Sequence, residues 1–156
     1  EVVLTIYREG VTYPFDVTIT RAEIIIPSIE YRMLDDNIAY IHLLQFADDS
    51  TAELRDAINE LYAENPDGLI LDLRNNGGGY LFTAVEVTSE FIEEGEIVLH
   101  EEYGDGTTDT YDALKGGLAL EIPLVILVNE GTASASEISR FHHIRERLSA
   151  KLGPPG

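Results

Sequence analysis

Leu124-Val125-Ile126-Leu127-Val128-Asn129-Glu130-Gly131-Thr132-Ala133-Ser134-Ala135-Ser136-Glu137-Ile138 decides how the rest of this chain is read. The apolar run up to Val128 has the length of a buried strand. Small and turn-forming residues follow, and then the start of a helix. A serine at that junction carries an exposed hydroxyl beside the first helix amides, which have no partner inside the helix. Such a place suits a nucleophile whose developing oxyanion needs backbone donors. It equally suits a capping box, with Ser134 as N-cap and Glu137 at N3.

The stretches upstream supply the context. Leu69-Ile70-Leu71-Asp72-Leu73 reads as a second short buried strand, and it runs directly into Arg74-Asn75-Asn76-Gly77-Gly78-Gly79. Ile38 to Phe46 reads as a strand buried on both faces. Ser50 to Ala63 reads as a helix with Leu54, Ile58 and Leu61 on its inner stripe and Ser50 or Thr51 as cap. A further helix carries Leu81, Val85, Thr88 and Phe91-Ile92 and stops near Gly95; a strand follows at Ile97–Leu99. Tyr103 to Thr110 reads as a polar hairpin or surface loop. Strands that alternate with helices predict an α/β core with parallel pairing. At the amino end, Val2–Tyr7 and Tyr13–Ile19 flank a Glu-Gly turn as a hairpin, and Ile24-Ile25-Ile26 before Pro27 reads as the exit from it.

In α/β sheets ligands bind beyond the carboxyl ends of the strands. If the strands ending at Leu73 and Val128 are neighbours, the triple glycine and Ser134 share one edge. A triple glycine presents backbone amides with no side chain in the way. No GxGxxG and no Walker lysine accompanies it, so a phosphate loop is a poor reading. A glycine loop and a serine turn together would make a nucleophile with two oxyanion donors, which lifts that reading above the cap.

Composition narrows the alternatives. The net charge is −19, from 29 acidic against 10 basic residues, which makes nucleic acid and anionic membranes poor partners. Cysteine is absent, which excludes thiolate metal sites and disulfides; no metal or other cofactor is called for. No apolar run reaches membrane-spanning length. Glu1-Val2-Val3 looks like mid-strand rather than a signal peptide, so a fragment or mature core is expected.

The pair DLRNNGGG (Asp72 to Gly79) and NEGTASASEI (Asn129 to Ile138), about 57 residues apart, resembles the C-terminal processing peptidases, or tail-specific proteases. The resemblance implies a crotonase/Clp-protease-like α/β core, a Ser/Lys dyad, and polypeptide substrates with exposed C-terminal tails. It also implies an extracytoplasmic place such as the bacterial periplasm or envelope. By position Ser134 matches the nucleophile, with Ser136 as rival. Ala135 and either Gly77 or Gly78 match the oxyanion hole, and Asp72, Arg74 and Asn75 match support for the glycine loop. Residues 1–22 look like the last strands of a PDZ domain, 23–138 like a partial protease core, and 139–156 like a divergent helical tail with a disordered end.

The family's lysine, roughly 25 residues past the nucleophile, has no counterpart here. Only Lys115 and Lys151 exist. Lys151 is 17 residues past Ser134, roughly 25 Å along one helix. His142 and His143 are roughly 12 Å up the same helix, beyond hydrogen-bond reach. An incomplete, inactive core is therefore expected. The other readings are a peptide-binding module without turnover and a CoA-thioester enzyme, the latter a poor match to so acidic a chain. Self-association through uncovered edges is expected of a truncated sheet.

Overall fold

The structure, a computed structural model, describes residues 1–22 and 26–138. Its centre is a four-stranded sheet with the order β3-β4-β5-β8. Here β3 is Ile29–Leu34, β4 is Ile38–Leu43, β5 is Gly68–Asp72 and β8 is Leu124–Leu127. β3 and β4 are antiparallel, whereas β4, β5 and β8 run parallel, as the alternation of strands and helices predicts. Helix α1 (Ser50–Tyr62) links β4 to β5, and helix α2 (Leu81–Ser89) begins the longer return from β5 to β8. Two hairpins stand outside this sheet: β1 (Val2–Ile6) with β2 (Phe15–Ile19), and β6 (Ile97–Glu102) with β7 (Thr108–Asp112). The second resolves the expected hairpin or loop at Tyr103–Thr110 as a hairpin, with its tip at 103–107 and Thr108–Thr110 already in β7.

The core lies on one face of the sheet. Ala39, Ile41 and Leu43 of β4 and Leu69 and Leu71 of β5 join Leu54, Ala57, Ile58 and Leu61 of α1 and Ala84 and Val87 of α2 in one buried cluster. The helix stripe expected from Leu54, Ile58 and Leu61 is the one observed. Both faces of β4 were expected to be buried, but Ile38, Tyr40 and His42 are only half-covered. α1 and α2 cover one side of the sheet, and the polar partners of Tyr40 and His42 keep the other partly open. The strand also ends at Leu43, three residues short of the expected Phe46, because the chain there turns into the loop that meets Gly79. The α1 cap is Asp49, without a side-chain cap bond. Ser50 Oγ instead accepts from Ala47 N and donates to the Gln45 carbonyl.

The strand missed in the sequence is β3. It is an edge strand with Glu30, Tyr31 and Arg32 exposed, so its apolar content is diluted. The cue was Asp36-Asn37: both residues hold positive φ (61° and 59°), as a tight connection between antiparallel strands demands. Ile24 and Ile25 of the expected exit segment, and the tail from Ser139, lie outside the described residues.

Candidate active site

The register aligns His42 with Asp72 and Asp72 with Leu127. The parallel strands β4, β5 and β8 therefore end together, and the glycine loop and the serine turn leave the same edge. Gly78 (φ +102°) packs directly on the serine turn. A Cβ placed there would come 2.9 Å from Ser134 Cβ and 3.0 Å from Ala135 N. Gly79 (φ +150°) meets Phe46, whose carbonyl would lie 2.1 Å from an added Cβ. Phe46 N donates to the Gly78 carbonyl and Tyr80 N to the Phe46 carbonyl. Glycine is required at both positions by contact as well as by φ.

Asn76 ties these pieces together, and it was not singled out from the sequence. Its side chain is fully buried and donates through Nδ2 to the Leu43 carbonyl, while Oδ1 accepts the Gly78 amide at 2.8 Å. Its carbonyl accepts from Ala133 N and from Ser136 Oγ. One residue thus joins the end of β4, the glycine loop and the serine turn. Beside it, Asn75 and Asn129 form a reciprocal pair: Asn75 N donates to Asn129 Oδ1 and Asn129 Nδ2 to Asn75 Oδ1. Thr132 Oγ1 donates to the Leu73 carbonyl and accepts from Asn129 N. The repeated Asn and the Thr inside the two motifs were the available cue, since such side chains commonly bond to loop backbone.

Ser134 is exposed and sits at φ +55°, in the left-handed region that costs a non-glycine residue on the order of 1 kcal/mol. Only half of the capping box forms. Ser134 N donates to Glu137 Oε2 at 3.2 Å, but the serine hydroxyl makes no hydrogen bond to a described residue. Ser136, the rival, is fully buried and its hydroxyl is spent on Asn76. Gly78 offers no open amide, because Asn76 Oδ1 holds it; Gly77 is exposed, and its amide has no hydrogen bond among the described residues.

Asp72 and Arg74 lie at the same strand end. Asp72 is buried and is held by the Arg74 guanidinium through both carboxylate oxygens, by Arg74 N and by the Tyr40 hydroxyl. Burial alone would raise the Asp72 carboxyl, but these donors outweigh it and hold the group well below the ordinary carboxylate range. The bond from Arg74 N ties the Asp72 carboxylate to the backbone that enters the glycine loop.

No described cation reaches Ser134 as a base. Lys115 is exposed on the loop packed against the far end of α2, where Glu90 accepts from Leu118 N and its carbonyl from Ala119 N. The triple glycine precedes the other end of that helix, roughly 13 Å away. His42 faces Glu30 and the Arg74 carbonyl, and His100 bonds to Thr110. Lys151, His142 and His143 lie outside the described residues. Nor do three or more His, Asp or Glu side chains gather into a metal-binding group among the described residues.

A parallel sheet edge that presents a serine turn against a glycine loop has the layout of an acyl-transfer site. The chain belongs to peptidase family S41, whose family model matches residues 37–148. It is 39% identical over 141 residues to a carboxy-terminal-processing protease of Bartonella bacilliformis, covering 88% of this chain and 32% of that protein. A probable CtpA-like serine protease of Staphylococcus aureus is 38% identical over 141 residues, covering 88% of this chain and 27% of that protein. Among solved structures, a photosystem II D1 C-terminal processing protease superposes with a TM-score of 0.70 at 27% identity, covering 88% of this chain and 39% of that one. The chain thus spans about a third of the length of the curated relatives it matches.

Proposed function

We propose that this chain carries the nucleophile half of a serine endopeptidase that cleaves polypeptides near their C-termini. Ser134 Oγ attacks the scissile carbonyl. The amides of Gly77 and Ala135 receive the negative charge that develops on the carbonyl oxygen, and the amine leaves with a proton. Water then hydrolyses the acyl-serine. Asn76, Asp72, Arg74 and Asn75 hold the two loops in place. The observation that carries this reading is exposed Ser134 at a left-handed turn pressed against Gly78, the neighbour of exposed Gly77 in the glycine loop.

The base in such a dyad is a lysine whose pKa burial pulls down from about 10.4. With no such lysine near Ser134 among the described residues, the 156-residue polypeptide on its own has negligible peptidase activity. The β1–β2 hairpin is read as the end of a PDZ domain. The outer edge of β8, where Val125 is exposed, is read as a surface for self-association. The relatives with named organisms are bacterial, which fits an extracytoplasmic place.

A fluorophosphonate probe followed by mass mapping tests the site. With no base beside it, Ser134 is expected to label slowly, but in preference to every other serine, and the label should be lost in Ser134→Ala. Labelling at Ser136 would overturn the assignment. Brisk cleavage of an unstructured peptide by the same polypeptide, abolished by Ser134→Ala, would overturn the inactivity.

A further inference from the structure

Asn76-Gly77 is the chain's single Asn-Gly pair. An asparagine before glycine is open to attack on its own side chain by the next backbone amide. Glycine brings no Cβ to crowd that approach, so a five-membered ring can close. Both halves of the reaction have a definite place in this fold. Gly77 is exposed, and its amide has no hydrogen bond among the described residues. Asn76 is fully buried, and its carboxamide is held at both ends. Nδ2 donates to the Leu43 carbonyl at 2.8 Å, and Oδ1 accepts the Gly78 amide at 2.8 Å.

The attacking nitrogen is thus uncommitted, while the group that it would attack is clamped. Ring closure requires the carboxamide carbon to turn toward Gly77 N and become tetrahedral, which spoils the alignment of both bonds. Nδ2 must also gain a proton before it can leave as ammonia, and burial keeps solvent from supplying one. The backbone here is equally fixed, since the Asn76 carbonyl accepts from Ala133 N and Ser136 Oγ.

We infer that Asn76 is a self-modification site guarded by the fold, converted to aspartate or isoaspartate only when the glycine loop and the serine turn come apart. In the opened chain Gly77 N gives up its proton and bonds to Asn76 Cγ. The Cγ–Nδ2 bond breaks, and the nitrogen leaves as ammonia. Water then adds to one of the two ring carbonyls, which leaves aspartate or, with the chain rerouted through Cγ, isoaspartate. Neither product restores the clamp. A carboxylate at position 76 has no N–H for the Leu43 carbonyl, and refolding would bury its charge against that oxygen. Isoaspartate also lengthens the backbone just before Gly78, which must pack closely on the serine turn. Each opening therefore carries a chance of permanent loss. The chemistry needs only water, and it is independent of which serine is the nucleophile.

The test holds the full 156-residue chain at mildly alkaline pH, in buffer and in denaturing urea, with samples taken over days. Peptide mapping by mass reads the gain that marks conversion of amide to acid. Conversion at Asn76 is expected in urea and should be at least about tenfold slower in buffer, where only opened molecules react. Gly77→Ala checks the chemistry. An added Cβ there meets nothing within 4 Å, so the fold accepts it, while the methyl group crowds the attacking nitrogen. That variant should convert at least about tenfold more slowly than the parent in urea. Parent chain converted in urea and returned to buffer should then unfold at a lower urea concentration than an unconverted, refolded control. Equal rates in urea and buffer overturn the guard, and equal rates for parent and Gly77→Ala in urea overturn the ring closure. A converted chain with an unchanged urea midpoint overturns the loss of the clamp. None of these readouts involves Ser134, so each outcome stays separate from the labelling test of the nucleophile.

Discussion

The β1–β2 hairpin and the β3-β4-β5-β8 sheet are built from comparably apolar strands, yet only the sheet hides them. In the hairpin every strand residue is exposed except Ile6, which is half-buried. In β4 and β5 six residues of eleven are fully or almost fully buried hydrophobics or small side chains: Ala39, Ile41, Leu43, Gly68, Leu69 and Leu71. The difference lies in what covers the strands. α1 and α2 lay apolar stripes on one face of the sheet, whereas two strands alone have nothing to pack against and are marginal in water. The strand pattern records what a segment is prepared to bury. Burial itself depends on the layer that comes to meet it.

That contrast can be broken in graded steps. Leu71→Ala empties a fully buried position of β5 and should cost about 2–5 kcal/mol, read from urea unfolding by circular dichroism. Asn76→Ala should come next, at about 2–3 kcal/mol, because it strands the buried Gly78 amide. It should also abolish fluorophosphonate labelling of Ser134, since the glycine loop and the serine turn lose their common tie.

The Asp72 carboxyl gives a smaller, pH-dependent effect. Its folded pKa lies below the ordinary 3.8, so its contribution to stability is present above that value and fades as the pH falls below it. Asp72→Asn should flatten the acid side of a plot of urea midpoint against pH. An unchanged slope would mean that the Arg74 and Tyr40 bonds do not hold in solution. Leu4→Ala on the hairpin should change the unfolding midpoint least, by less than about 0.5 kcal/mol. A large loss there would show that the hairpin packs on a surface beyond these residues.

Much of this layout was legible in the chain. Uninterrupted apolar runs at Leu69–Leu71 and Leu124–Leu127 mark parallel strands, and the residues after them locate the loops. The stripe Leu54, Ile58 and Leu61 marks α1 because its spacing follows the helical period. β3 escaped because an edge strand alternates polar and apolar side chains over too short a span. Asn76 escaped for a different reason. Its importance comes from four bonds to groups as far as 60 residues away in sequence, and local pattern carries no trace of long-range partners. That the Asn76 carboxamide occupies the Gly78 amide was likewise invisible in the sequence, because the bond depends on the fold of the loop. The exposure of Ser134 and the burial of Ser136 could not be read from two small serines two positions apart.

The left-handed backbone at Ser134 sets folding against chemistry at one position. Glycine would sit there without strain, and so would be the favoured replacement on grounds of folding alone. Ser134→Gly is therefore expected to raise the urea midpoint while it removes the hydroxyl on which the proposed reaction rests.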